Sequence, residues 1–139
     1  MVLKSLNDPQ VESVLSEPRV ARLATVDGQC LPHVSPVWFL FEDGVFWVST
    51  AEDRLKVKNT RLNPKVALVV DTDFPPYRGV IVEGTATLTT QGVQDITRKI
   101  AARYSRDPAL TFDELMRAPR ILMKITPEKV MDIMSYREH

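Results

Sequence analysis

The sequence has few of the residues on which disulfides and metal sites depend. It contains one cysteine, Cys30, and two histidines, His33 and His139, among 139 residues. A single cysteine cannot form an intramolecular disulfide, and it fits a reducing compartment. Two histidines, one of them at the end of the sequence, do not supply a metal cluster with Cys30. We therefore expect no metal site and a cytoplasmic location.

Charge excess and long hydrophobic runs are also missing. The 18 basic and 18 acidic side chains cancel, so nothing indicates a nucleic-acid surface. No apolar run approaches the roughly 20 residues that a membrane span needs. Residues 1–8 lack the continuous apolar core of a signal peptide. These absences predict a protein that binds neither nucleic acid nor membrane.

The usual acid–base and phosphate-loop motifs are absent as well. Asp27-Gly28 and Asp43-Gly44 are typical of turns, and no glycine-rich phosphate loop is present. His33 lies in a segment interrupted by prolines and has no evident Ser or Asp partner. No catalytic side chain is predicted, so an enzyme built on this chain needs a cofactor to supply its chemistry.

What is present is a succession of short strands joined by tight turns. Strand patterns cover residues 19–26, 31–41, 45–50, 66–71, 80–89, 121–125 and 130–135. Helical patterns cover a segment that starts at Pro9 and stops before Pro18, a basic segment between strands, residues 93–104 and residues 111–116, the last capped at Thr111. No linker or repeat divides residues 1–139. The pattern predicts one domain, mainly β, as an antiparallel barrel with peripheral helices.

The segment between the third and fourth strand patterns is a short basic helix. It carries Arg54, Lys56, Lys58 and Arg61 and ends at Asn63-Pro64. A cationic helix face is usually solvated, and that interpretation suffices for Lys58 and Arg61. Arg54 and Lys56 fall in the first turn, where the helix dipole disfavours cations unless an anion is bound there. An anion site and a solvated face both remain open at this point.

Two further segments have a structural and a functional interpretation. Pro36 to Phe41 is an aromatic strand whose residues either form core or leave backbone amides free to meet a flat heterocycle. Phe74 to Gly79 is a proline-rich loop with an aromatic ring and a cation, which either connects strands or binds a ligand.

Together these segments resemble a known family. Ala24–Gly28 and Pro32–Phe39 are similar to the opening hairpin of the pyridoxamine 5′-phosphate oxidase-like flavin-binding split β-barrels. Residues 48–64 look like the phosphate-binding region of the family's deazaflavin-dependent branch, and Val82–Thr89 resembles the strand that follows. The similarity runs from about Val20 to Thr90 and more loosely to the C-terminus.

The resemblance implies a split β-barrel homodimer with two cofactor sites at the subunit interface. The cofactor is coenzyme F420 (a deazaflavin) or FMN, and hydride passes between it and a small organic substrate. The implied cofactor-binding residues are Pro36, Val37, Trp38, Ser49, Thr50, Arg54, Lys56, Asn59, Tyr77 and Arg78. In this assignment Arg54 and Lys56 hold the phosphate with Asn59 nearby, and the backbone around Trp38 lines the ring system. Ser49 and Thr50 help to hold the phosphate or the ribityl chain, and Tyr77 and Arg78 reach the other subunit's site.

The alternative is a non-catalytic module that stores or senses FMN, or holds haem, on the same barrel. Two departures from the family pattern, Leu55 and Thr60, stand in the basic helix. Leu55 replaces an arginine that is frequent in the flavin-type oxidases, which argues against genuine pyridoxamine 5′-phosphate oxidase activity.

Overall fold

The computed structural model describes residues 2–3 and 5–133. Its elements are β1 (Val2–Leu3), α1 (Pro9–Leu15), β2 (Ala21–Val26), β3 (Pro32–Val37), β4 (Leu40–Glu42), β5 (Val45–Ala51), α2 (Leu55–Leu62), β6 (Lys65–Asp71), β7 (Gly79–Thr89), α3 (Val93–Tyr104), α4 (Pro108–Leu115) and β8 (Arg120–Ile133).

The strands form one antiparallel sheet in the order β3-β2-β6-β7-β8-β5-β4, and β1 also pairs with β8. The predicted mainly β, antiparallel architecture with peripheral helices is therefore confirmed. The described residues contain eight strands, where the sequence predicted about seven. Four helices connect or flank them, as expected.

The larger of two buried apolar clusters lies on one face of this sheet, because apolar side chains alternate along most strands. Leu23, Phe46 and Ile125 are fully buried, and α1 contributes Val11 and Leu15 to the same cluster. The smaller cluster packs Ile96 and Ile100 of α3 against Leu122 of β8.

Asp8 caps α1 by accepting a hydrogen bond from the Gln10 amide at 2.9 Å. The sequence offers Asn7 or Asp8 as the cap before Pro9, and the structure selects Asp8.

The predicted long strand over residues 31–41 is two strands with a break at Trp38 and Phe39. The prediction of one strand was wrong there because the Phe39 amide donates to the Tyr104 hydroxyl at 3.2 Å. Pro36 lies in β3, which stands at one end of the sheet order and pairs with β2. Its position fits the rule that proline in a sheet belongs to an edge strand.

The two final strands predicted around Thr126-Pro127 are one continuous strand, β8, up to Ile133. Residues 134–135 of that prediction lie outside the described residues. Pro127 lies opposite Gly84, where the β7–β8 register shifts. A Cβ at Gly84 would stand 2.3 Å from the Thr126 carbonyl oxygen. Because glycine lacks that carbon, the bulge absorbs the proline without ending the strand.

The last helix begins three residues earlier than predicted, at Pro108 in place of Thr111. The helix expected at 111–116 is α4, Pro108–Leu115, and its cap is Asp107, which accepts from the Leu110 amide at 3.3 Å. The Thr111 hydroxyl instead lies 2.6 Å from the Ser105 hydroxyl. Within the described part of the chain, none of the helices has the length and hydrophobicity to span a bilayer.

Candidate functional site

A cavity of about 350 Å³ opens between the β3–β4 break, the end of β5, the start of α2 and the α3–α4 pair. Its lining residues are Val20, Pro36, Val37, Trp38, Val48, Ser49, Thr50, Lys56, Ile100, Leu115 and Arg120. The volume falls within the range of about 300–1,000 Å³ that is usual for small-molecule sites.

One side of the cavity is apolar and carries an indole. Trp38 stacks on Tyr104 with ring centroids 5.0 Å apart and planes 2° from parallel. The Tyr104 hydroxyl donates to the Arg19 carbonyl at 2.7 Å and accepts the Phe39 amide at 3.2 Å. Because these two hydrogen bonds hold the Tyr104 side chain in place, its ring fixes the plane of Trp38. Trp38 remains 38% exposed, so it offers a flat surface to a ligand.

The other side is cationic. Lys56 and Arg120 line the cavity, and Arg54 is close enough to affect both electrostatically. Burial lowers the pKa of Lys56, and the charges of Arg54 and Arg120 lower it further. Burial and the charge of Arg54 also lower the pKa of Arg120. Among the described residues, no carboxylate pairs with any of these three cations. The site therefore concentrates positive charge that no carboxylate of the described residues neutralises.

Arg120 is held rigidly by neutral acceptors. Its Nε donates to the Ser49 hydroxyl at 2.9 Å, and one terminal nitrogen donates to the Ser49 carbonyl at 3.0 Å. The other terminal nitrogen donates to the Leu115 carbonyl at 3.1 Å. These bonds tie β8 to β5 and to the C-terminal end of α4.

The first turn of α2 adds backbone donors to the cationic side. Arg54 is the N-cap residue, and it provides no side-chain hydrogen bond to the helix amides. No acidic side chain stands in the first turn. Neither the cap residue nor the first turn therefore supplies a side chain that offsets the positive dipole end of this helix, which begins next to Lys56.

The structure brings most of the predicted site residues together. Six of them line the cavity: Pro36, Val37, Trp38, Ser49, Thr50 and Lys56. Arg54 does not line the cavity but lies beside its two cations. Lys58 and Arg61 are exposed and likewise stand outside the lining.

Asn59, also a predicted site residue, lies elsewhere. Its side chain is buried, with 2% of its surface exposed, and its amide donates to the Thr25 hydroxyl at 3.1 Å. Thr25 is fully buried in β2. This hydrogen bond fastens α2 to the sheet, away from the cavity.

The predicted residues Tyr77 and Arg78 also stand apart from the cavity. Tyr77 is 41% exposed on the loop before β7. Arg78 lines a separate, smaller cavity of about 180 Å³ together with Arg19 and Phe74. In a single chain these two residues do not meet the Lys56 side of the molecule.

Sequence reasoning missed five lining residues, which are Arg120 and the apolar residues Val20, Val48, Ile100 and Leu115. A lone arginine before an apolar strand carries no pattern that marks it as part of a site. The pairing of Ala51 with Arg120 across β5 and β8 places it beside the end of β5. Knowledge of that pairing is the signal that would have found it.

The lining also limits the chemistry of the site. Lys56 and Arg120 are its only titratable residues, and neither histidine, cysteine nor a carboxylate is among the described residues that line it. In the described ranges, no group of three or more His, Cys, Asp or Glu residues could hold a metal ion.

Comparison with solved structures supports this architecture. An F420 reductase is 27% identical, with a TM-score of 0.72, and the match covers 86% of this chain and 94% of that one. A conserved hypothetical protein from Mycobacterium tuberculosis is 21% identical, with a TM-score of 0.78 over 96% of this chain and 88% of that one. The heme storage protein HutZ from Vibrio cholerae is 18% identical, with a TM-score of 0.75 over 92% and 94% of the two chains.

The sequence itself matches a family profile over nearly its whole length. Residues 8–133 match the family described as pyridoxamine 5′-phosphate oxidase. The expected split β-barrel is confirmed by this match together with the sheet topology and the similar solved structures. The chain belongs to the pyridoxamine 5′-phosphate oxidase family of split β-barrel proteins.

Proposed function

We propose that this protein binds coenzyme F420 or FMN in the cavity and transfers a hydride between that cofactor and a small organic substrate. The observation that carries the proposal is the pairing of an apolar, indole-bearing wall with three cations that no described carboxylate pairs with. In a ligand made of a flat heterocycle joined to a phosphate, the ring matches the apolar wall and the phosphate matches the cationic side.

The cationic side fits a phosphate for two reasons. Lys56 and Arg120 supply charge-assisted donors, and the N-terminus of α2 adds its dipole and amides. Uncompensated like charges raise the free energy of the free protein, and an anion would relieve that repulsion.

The apolar side fits the ring system. Trp38 and the backbone near Pro36 and Val37 line it, and the rigid Tyr104 stack holds the indole in one plane. When bound, the cofactor supplies hydride transfer. The chain's own residues anchor the phosphate, orient the ring and exclude water from one face.

The deazaflavin is the cofactor that we favour over FMN. Residues 48–64 resemble the deazaflavin branch, and a solved F420 reductase is 27% identical over 86% of this chain. Lys58 and Arg61 are exposed on α2 outside the cavity lining, where they could contact the longer, anionic deazaflavin tail.

A homodimer with cofactor sites at the subunit interface is part of the proposal. The hairpin of β2 and β3 exposes Leu31 and Val34, at 65% and 61%, and α2 exposes Leu62 at 69% near Gly28 of the same hairpin. This apolar surface suits a second copy of the chain. In such a dimer Tyr77 and Arg78 would reach the partner's site. Light scattering during size exclusion tests the dimer directly.

We also place the protein in the cytoplasm, because its one cysteine, Cys30, is exposed and unpaired.

A second function is a non-catalytic FMN-binding module. The specific observation in its favour is that the cavity lining holds no acid–base side chain apart from Lys56. Haem is less well supported, since the described lining contains no His, Cys, Met or Tyr to ligate iron.

An activity screen separates the two functions. The protein is loaded with each cofactor, reduced, and mixed with a panel of small hydride acceptors while the cofactor's absorbance is followed. Reoxidation that depends on acceptor and protein supports the oxidoreductase. Tight cofactor binding without turnover of any acceptor supports the storage module.

A further inference from the structure

We propose that Arg120 binds the cofactor's phosphate and that Ser49 is a positioning residue that acts through Arg120. This inference rests on the proposed function and changes the role assigned to Ser49. The resemblance predicts that Ser49 itself holds the phosphate or the ribityl chain. The hydrogen bonds of the site point to an indirect role.

The donors of Arg120 are used only in part. An arginine side chain has five N–H groups, and three of them are occupied by the Ser49 hydroxyl, the Ser49 carbonyl and the Leu115 carbonyl. One N–H remains on each terminal nitrogen. N–H groups of a guanidinium donate charge-assisted hydrogen bonds to phosphate oxygens. Because Arg120 lines the cavity, we infer that its two remaining N–H groups serve a ligand there.

The charge of Arg120 also has no anionic partner among the described residues. Its three partners are a hydroxyl and two carbonyls, all neutral, and no described carboxylate contacts it. Half-buried cations are normally paired, because burial penalises an isolated charge. An anionic ligand provides the missing partner.

Ser49, by contrast, has little capacity left for a ligand. Its hydroxyl accepts from Arg120 Nε at 2.9 Å and lies 2.7 Å from the hydroxyl of Thr97. Thr97 is fully buried in α3. A serine hydroxyl has one donor and two acceptor sites, so two partners occupy most of them. The chain Thr97–Ser49–Arg120 thus fixes the guanidinium from inside the protein.

The competing interpretation is that Arg120 only ties β8, β5 and α4 together. A structural tie and a phosphate ligand differ in one measurable respect. Loss of a tie weakens binding of any ligand in the cavity, whether or not it carries phosphate. Loss of a phosphate ligand weakens FMN and coenzyme F420 but spares riboflavin and the phosphate-free deazaflavin.

The test is a set of titrations on the full chain with these four compounds. For Arg120→Gln we expect the affinity for the phosphate-bearing forms to fall roughly 10- to 100-fold, with the phosphate-free forms within about twofold of wild type. Arg120→Lys keeps the charge but not the planar guanidinium, so its affinity for the phosphate-bearing forms should lie between those of wild type and Arg120→Gln. Lys124→Gln removes a cation from the same strand outside the cavity. It should change the affinity for neither the phosphate-bearing nor the phosphate-free forms.

A double-mutant cycle tests the role of Ser49. Ser49→Ala alone should weaken FMN or coenzyme F420 about 3- to 10-fold, and should add nothing in the Arg120→Gln background, because its effect passes through Arg120. Additive losses would overturn the positioning role. Equal losses for phosphate-bearing and phosphate-free forms would show that Arg120 is only structural. Wild-type protein that binds none of the four compounds would instead overturn the proposed function, so the two failures are distinct.

Discussion

Trp38 and Tyr104 stack with ring centroids 5.0 Å apart and planes 2° from parallel. The pair joins the β3–β4 break to the last residue of α3. The Tyr104 hydroxyl also accepts the Phe39 amide, which has no strand partner at the break. Tyr104 thus provides the hydrogen-bond partner that the Phe39 amide lacks in the sheet, and its ring supports the Trp38 wall of the cavity.

Replacement of Tyr104 separates these two roles. Tyr104→Phe keeps the ring but leaves the buried Phe39 amide and the Arg19 carbonyl without their partner, so the free energy of unfolding should fall by about 1–3 kcal/mol. Cofactor affinity should change little. Tyr104→Ala should lower both, because the stack is lost too. Urea denaturation and cofactor titration provide the measurements, and a Phe variant that loses affinity as fully as the Ala variant would contradict this division.

The two neighbouring lysines of α2 should differ in cofactor binding. Lys56 lines the cavity, whereas Lys58 is exposed on the other side of the helix. Lys56→Gln should cost about 1.5–3 kcal/mol of binding free energy, as expected for a lost charge-assisted hydrogen bond. Lys58→Gln, the matched control, should cost less than about 0.5 kcal/mol of FMN binding, because FMN lacks the longer tail that Lys58 is proposed to contact. Similar losses from the two variants in a fluorescence titration would place the phosphate elsewhere.

Lys56→Gln should also stabilise the cofactor-free protein near neutral pH. Burial, with help from Arg54 and Arg120, lowers the pKa of Lys56 from 10.5 in the folded state. The penalty for the charged form is therefore complete below the folded pKa. It is relieved as pH rises from that value towards 10.5, where the unfolded chain also loses its proton.

Thermal unfolding in phosphate-free buffer measures this effect. At pH 7 the Tm of Lys56→Gln should exceed that of wild type, and the difference should shrink as the pH approaches 10.5. Lys58→Gln should show no such trend. A Lys56→Gln protein that is less stable than wild type at pH 7 would mean that Lys56 has a stabilising partner.

Asn59 should act on stability more than on binding. Only 2% of its surface is exposed, and its side-chain amide donates to the Thr25 hydroxyl in β2. Asn59→Ala leaves that buried hydroxyl without a donor and should lower the free energy of unfolding by about 1–3 kcal/mol. Cofactor affinity, measured well below the unfolding temperature, should fall less than in Lys56→Gln. The reverse pattern would restore Asn59 to the site.

The sequence predicted those parts of the fold that local patterns determine. α3 was expected at its observed bounds, Val93–Tyr104, because its apolar stripe and flanking turns are contiguous in the chain. β8 was divided wrongly at Pro127, because the glycine that accommodates the proline, Gly84, lies in another strand. Local patterns do not reveal a partner that is distant in sequence.

The same limit applies to the site. Residues 48–56 were found because strand end, helix start and cations follow one another in the chain. Arg120 was missed because only the pairing of β5 with β8 brings it to Ser49. Asn59 was assigned to the site by its spacing in the motif, although its side chain lies on the buried side of α2.

The central claim is that the cavity holds a phosphate-bearing flavin or deazaflavin, and equilibrium titration of purified wild-type protein with coenzyme F420 and with FMN tests it most directly. We predict saturable binding at one site per chain, with coenzyme F420 the tighter ligand and with weaker binding of the phosphate-free form of each. Failure to bind either compound, at concentrations up to the millimolar range, would contradict the account.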